Sequence, residues 1–199
     1  MPRTPEQFEE IREKTKQKIL EHSLRLFAEK GYHGTSISDI AKAAGISKGL
    51  AYNYFESKKH LVESIFEQIH EISNQFEKMI AEIDDPYEQL RQAIVFTFDY
   101  MKQNEEFWRL YVSLAMQPTV MDTAKKITVD FGNRVFKMFT GVFRKIGVPN
   151  PRAEAYILAG IMDGVSLEYF FDKENYPLIS VKNKLLEKYS KEGLSKLMK

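Results

Sequence analysis

TSISDIAKAAGISKGLAYNYFESKK, Thr35 to Lys59, contains two short helical periods separated by one glycine. Ser36 is a helix N-cap, and Asp39 follows three residues on, an abbreviated capping box. Ile37, Ile40, Ala41 and Ala44 mark one face of a two-turn helix. Gly45 supplies a permissive turn backbone, and the apolar Ile46 can plug that turn into a core. Ser47 caps a second short helix through Tyr54. Ser57 then caps a long helix whose apolar positions are Leu61, Ile65, Ile69, Ile72, Phe76 and Ile80. Two short helices joined by a glycine turn, with Ala41 allowing close approach and a longer helix in front, describe a helix-turn-helix.

Working outward, Phe8, Ile11, Thr15, Ile19, Ser23, Leu26 and Phe27 recur at helical spacing, which predicts a first helix from about residue 5 to Lys30 with Gly31 as its stop. After Pro86 the periodicity predicts helices near 86–103, 105–116, 120–146, 151–172 and 177–190, with GVPNP at Gly147 to Pro151 as a break. VFTF at Val95 to Phe98 can pass locally for a strand, but Leu90, Ile94, Phe98 and Met101 keep helical register. The expected fold is all-α: a three-helix N-terminal domain over 12–73, joined by a helix to a larger helical bundle over 74–199.

The 199 residues are 43% hydrophobic and 29% charged, the balance of a globular chain. Cysteine is absent, which excludes disulfides, thiolate metal sites and cysteine nucleophiles and fits a reducing, cytoplasmic setting. The start of the chain is polar, and no window of about 18 residues lacks charge, so neither a signal peptide nor a membrane span is expected. The net charge of +1 conceals a division. Residues 1–60 carry 11 Lys and Arg against 8 Asp and Glu, whereas residues 61–179 carry 12 against 18. An anionic partner would therefore meet the first 60 residues rather than the middle.

On a helical wheel, Ala51 and Phe55 point to the core side of the second short helix, and Gly49, Leu50 and Asn53 point away. The outward face offers a glycine that lets backbone come close, an amide suited to an adenine edge and an apolar group suited to a thymine methyl. Lys48, Tyr52 and Tyr54 flank it and can reach phosphate or a base edge. Ser36 and Ser47 add hydroxyls and amides at helix starts.

Ile19 to Phe66 resembles the DNA-binding domain of the tetracycline-repressor (TetR) family. The matching residues are Phe27, EKGY at Glu29 to Tyr32, Thr35 and Ser36, Ile40 and Ala41, Gly45, SKG at Ser47 to Gly49, the Tyr52, Tyr54 and Phe55 pattern, and Ser57 with Lys58. The resemblance implies a homodimeric, DNA-binding transcription regulator, usually a repressor released from its double-stranded operator by a small ligand. Carried over by position, Ser36, Ser38, Tyr52, Tyr54 and Lys58 would contact mainly DNA backbone, and Lys48, Gly49, Leu50 and Asn53 would lie toward bases. Where many relatives carry Thr-Leu this chain has Leu50 and Ala51, which removes one hydroxyl.

Beyond residue 86 the chain is rich in Phe, Tyr and Met. Phe96, Tyr100, Met101, Trp108, Tyr111 and Met116, with Phe131, Phe139, Tyr156 and Met162, are candidates to line a pocket for a small hydrophobic or aromatic ligand. Taken singly, each is more often a core residue. In and just before AYILAGIMDGVSLEYFF, Ala155 to Phe171, the small residues Ala153, Gly160 and Gly164, with Ile157, permit close helix approach. Packing within one chain and a dimer interface with the helix near 177–190 both fit; the family resemblance implies the dimer. His22, His33, His60 and His70 lack metal-ligand spacing, Asp84 and Asp85 stand beside a turn proline as caps, and no phosphate-binding glycine loop appears. No enzyme, metal or cofactor is expected. The rival reading is a helical small-molecule or lipid-binding protein whose N-terminal unit is structural.

Overall fold

The computed structural model describes residues 4–197, except for the side chains of Ile69, His70, Ile127, Thr128, Phe131 and Leu197. Among the described residues all regular structure is helical: α1 Pro5–Gly34, α2 Ile37–Ala43, α3 Lys48–Tyr54, α4 Lys58–Ala81, α5 Pro86–Gln103, α6 Glu105–Ala115, α7 Pro118–Ile146, α8 Pro151–Phe171, α9 Leu178–Lys188 and α10 Lys191–Leu197. The chain forms two compact units, Met1–Ile69 with Arg109–Thr128, and His70–Trp108 with Val129–Lys199.

In the first unit Thr4 caps α1 through a full capping box with Gln7, and Pro5 stands where its missing N–H is not needed. The core begins only at Ile19 and takes in Leu20, Leu24 and Phe27. Phe8 is 58% and Ile11 41% exposed, so the apolar stripe runs on past the core it serves. Periodicity specifies which face of a helix is apolar, not whether another element covers it. Gly31 breaks α1 with φ 78° and ψ 159°, a conformation that only glycine adopts freely.

The α2–α3 pair follows its sequence signals closely. Ser36 Oγ accepts the Asp39 N–H at 3.1 Å, and Asp39 in return accepts the Ser36 N–H at 2.9 Å. Gly45 turns with φ 66°. Ser47 Oγ accepts the Leu50 N–H at 3.1 Å. Ile37, Ile40, Ala41, Ala44, Ala51 and Phe55 are buried, while Ile46 is only partly so. Leu61, Val62, Ile65 and Phe66 of α4 complete the core with Leu110, Tyr111, Leu114, Val120 and Ala124. Phe66 and Tyr111 pack edge to face at 4.9 Å between ring centroids.

The second unit buries Phe76, Ile80, Leu90, Ile94, Phe98, Met101, Phe143, Leu158 and Leu185 in one cluster. Gln89 ends α4 by donating from Nε2 to the Ile80 and Ile83 carbonyls at 3.0 and 2.8 Å. Asp85 caps α5 by accepting the Tyr87 N–H at 3.1 Å, the role its place beside Pro86 suggests. The terminal helix expected over 177–190 stops at Lys188, and α10 follows as a separate element. Ser190 accepts the Gly193 N–H at 3.0 Å and so starts α10. Leu194 and Tyr189 are buried at the junction.

Candidate nucleic-acid interface

α3 is held from beneath and bare above. Ala51 is 2% and Phe55 1% exposed, which anchors one side of its two turns in the core. Ser47, Lys48, Gly49, Leu50, Tyr52 and Asn53 are all exposed, as are Ser36 and Ser38 at the start of α2. These eight residues of the α2–α3 pair are all open to solvent. Leu50 is 38% and Tyr52 46% exposed, large apolar surface for so short a helix. The Lys48 ammonium lies 6.0 Å from the Tyr52 ring centroid, so charge and phenol sit side by side. A Cβ added at Gly49 would meet nothing within 4 Å. The face therefore combines hydroxyls, an amide, a cation and an apolar contact, the mixture that phosphate positioning and base-edge reading require.

Tyr54 and Lys58 stand apart from the other eight, each half-buried. Lys58 Nζ donates to the Tyr32 carbonyl at 2.8 Å and lies 4.6 Å from the Tyr32 ring centroid. An ammonium has three donors, so this contact leaves capacity for a phosphate while fixing where the side chain starts. Two residues outside the sequence-derived set are part of this arrangement. Tyr32 is the partner of Lys58. Gln117 accepts the Tyr32 N–H at 2.9 Å and donates to the Phe27 carbonyl at 2.7 Å. Tyr32 lies in EKGY, so it carried a signal. Gln117, on no apolar stripe and 85 residues away in the chain, carried none.

The aromatic candidates of the second unit divide. Phe96 and Tyr100 stack at 5.5 Å, Tyr100 meets Trp108 edge-on at 6.2 Å, and Phe76 closes the row on Phe96 at 5.1 Å. Burial alone pushes the Tyr100 phenol above its ordinary pKa. Met101 and Phe139 are buried in the core cluster, and Met162 packs on its edge. Tyr156 is 49% exposed, its ring 4.1 Å from Phe136. Tyr111 and Met116 fall in the first unit, Tyr111 buried and Met116 exposed. The Phe131 side chain lies outside the described residues. On α8, Ile157, Gly160 and Gly164 are exposed and Ala153 is half-buried. Tyr156, Ile157, Leu167 and Phe171 make that helix apolar on its open side.

Among the described residues no group of His, Cys, Asp or Glu is placed to hold a metal ion, and no helix is long and apolar enough to cross a membrane. His60 instead accepts the Glu56 N–H at 3.4 Å, and its ring meets Phe55 edge-on at 5.5 Å.

An exposed short helix, pinned by Ala51 and Phe55 and set behind a capped partner helix across a glycine turn, has the architecture of a helix-turn-helix. Residues 19–65 match the model of bacterial regulatory proteins of the tetR family. Residues 19–65 thus form a domain similar to the DNA-binding domain of tetR-family regulators. It is 38% identical over 109 residues to the biofilm operon icaADBC HTH-type negative transcriptional regulator IcaR of Staphylococcus aureus, covering 52% of this chain and 55% of that one. The chain spans about half the length of the curated relatives it matches. Its fold resembles that of the fatty acid degradation regulator FadR from Bacillus halodurans, with TM-score 0.73, 19% identity and 95% and 96% of the two chains covered. It also resembles FadR from Bacillus subtilis in complex with stearoyl-CoA, with TM-score 0.71, 22% identity and 89% and 98% covered.

Proposed function

We propose that the protein is a homodimeric transcriptional repressor that reads operator DNA with α3 and is released by a small hydrophobic ligand held in its second unit. The observation that carries the reading is the α3 surface. Lys48, Gly49, Leu50 and Asn53 face bases, while Ser36, Ser38, Ser47, Tyr52, Tyr54 and Lys58 hold the phosphate backbone. The likeness of the N-terminal half to a negative transcriptional regulator supports repression.

The Phe96, Tyr100 and Trp108 row supplies aromatic surface suited to an aliphatic or aromatic ligand, and the fold is shared with a regulator solved with stearoyl-CoA. Such a ligand releases DNA only by binding two arrangements of the dimer with unequal affinity. The open apolar side of α8 supports association of two copies, and a twofold pair would present two reading helices to a palindromic operator.

A gel shift on DNA flanking the protein's own gene tests the reading. Sequence-selective retardation that weakens with salt is expected. Lys48→Ala and Asn53→Ala should relax preference at particular base pairs by about 1–3 kcal/mol, and Tyr52→Phe should weaken all sequences alike. Retention of wild-type affinity and preference by all three variants would remove α3 as the reading helix. Ligand binding with no DNA retardation would favour a small-molecule carrier.

A further inference from the structure

We infer that Gln117 is a positioning residue for the reading head: its amide joins the broken end of α1 and so fixes where α2 and α4 begin. The inference deepens the DNA-binding reading above and rests on it.

A helix end leaves carbonyls and a following N–H without helical partners. At the Gly31 break, side chains from other elements supply them. Gln117 Nε2 donates to the Phe27 carbonyl at 2.7 Å, and Gln117 Oε1 accepts the Tyr32 N–H at 2.9 Å, so one planar amide spans the break. Thr35, 1% exposed, donates to the Leu26 carbonyl at 3.1 Å and the Gly31 carbonyl at 3.0 Å. Gln117 is itself held by its backbone: its N–H donates to the Leu114 carbonyl, and its carbonyl accepts from Val120 and Met121, all within 3.1 Å. The amide therefore presents its donor and acceptor from a fixed corner between α6 and α7.

Tyr32 transmits the constraint in two directions. Its carbonyl receives Lys58 Nζ at 2.8 Å, and Lys58 is the first residue of α4, just past the end of α3 at Tyr54. In the other direction Tyr32 precedes Thr35 and the Ser36 cap of α2. It thus bonds to the start of α4 and stands four residues ahead of the cap of α2 in the chain. Only a side chain carrying a donor and an acceptor on one planar group can make both Gln117 bonds. Glutamate keeps the shape and the acceptor but offers the Phe27 carbonyl no donor unless protonated, and methionine offers neither.

Loss of a cap that merely stabilises lowers the folded fraction, which reduces apparent affinity for every duplex by the same factor. A positioning group acts differently. Phosphate contacts tolerate a small shift of α3, while base-edge contacts do not. The test uses the full chain with Gln117→Glu and Gln117→Met. It measures amide hydrogen exchange at Tyr32 without DNA, and affinity for two duplexes at one salt concentration: the sequence wild type selects from a random pool, and an unrelated one of equal length. The expected result is faster exchange at Tyr32, about tenfold weaker binding to the selected duplex and less than about twofold change on the unrelated one. Near pH 5 Gln117→Glu should recover part of the loss as its carboxyl protonates, and Gln117→Met should not. Unchanged protection at Tyr32, or equal weakening on both duplexes, would overturn the inference. A wild-type protein that selects no duplex would defeat the DNA-binding reading and the inference with it, and that outcome appears before any substitution is made.

Discussion

A methyl group added at Gly49 meets nothing in the free protein, and alanine is the better helix former by about 0.8–1 kcal/mol in a helix interior. Gly49→Ala should therefore leave denaturant stability unchanged or slightly raised. If a duplex approaches α3 closely at this point, the same substitution should cost about tenfold or more in operator affinity, read by DNA titration. Equal affinity would place Gly49 outside the contact. Asp163 carries a different signal. It is exposed at the surface of α8, yet the protein around it withholds enough water to raise its carboxyl pKa. A carboxylate whose folded pKa is raised loses stability as pH climbs from its unfolded value, near 3.9, through its folded value, and the loss persists above it. Asp163→Asn should thus raise the melting temperature at pH 7, with the gain vanishing below about pH 4; an equal gain at both pH values would reject the desolvation account. At this scale the sequence was informative wherever one helix decides the geometry. The wheel separated buried Ala51 and Phe55 from exposed Lys48, Leu50 and Asn53. It was silent where a second element intervenes: the half-burial of Lys58 depends on Tyr32, and the role of Gln117 on a break in α1.

Helices were legible from their caps and stops. Ser36, Ser47 and Asp85 each make the bond their position promises, and Gly31, Gly45 and Gly147 all have positive φ. α10 was not legible, because seven residues after a two-residue break hold too little periodicity to stand out from α9. What keeps α10 in place is local fit. A Cβ at Gly193 would come within 2.3 Å of the Glu187 and Lys188 carbonyl oxygens, both backbone atoms that cannot swing aside. Gly193→Ala should therefore cost about 1–3 kcal/mol by overpacking and loosen the Tyr189 and Leu194 contacts, measured by urea denaturation of the variant. Stability equal to wild type would mean that α10 can shift without cost. The first three turns of α1 make the complementary point. Glu10 pairs with Lys14 at 2.6 Å and Thr15 donates to the Ile11 carbonyl at 2.8 Å, so local bonds accompany the helical course. The pattern of Phe8 and Ile11 announced a buried face that the chain by itself does not bury.

At the scale of the whole molecule, the proposed pairing of two copies can be tested on α8 without damage to the protomer. Gly160 and Gly164 stand four residues apart, and a Cβ at either meets nothing within 4 Å inside one chain. Tyr156, Ile157, Leu167 and Phe171 expose apolar side chains on the same helix. Small residues between larger ones let a second helix approach closely, and a bulky substituent there would be felt only by that helix. Gly160→Leu should accordingly keep the far-ultraviolet helical signal and the unfolding temperature of a monomer. In light scattering at micromolar concentration it should drop from about twice the chain mass to the chain mass. Because a twofold protein binds two half-sites at once, losing the pair removes the effective concentration of the second reading helix, and operator affinity should fall by about two orders of magnitude or more. Binding to a single half-site should stay as it was. If Gly160→Leu remains a dimer, association runs through some other surface and the apolar side of α8 must be explained without it. If it becomes a monomer yet binds the full operator as tightly as before, the two reading heads act independently, and a ligand could not release the protein by altering their spacing.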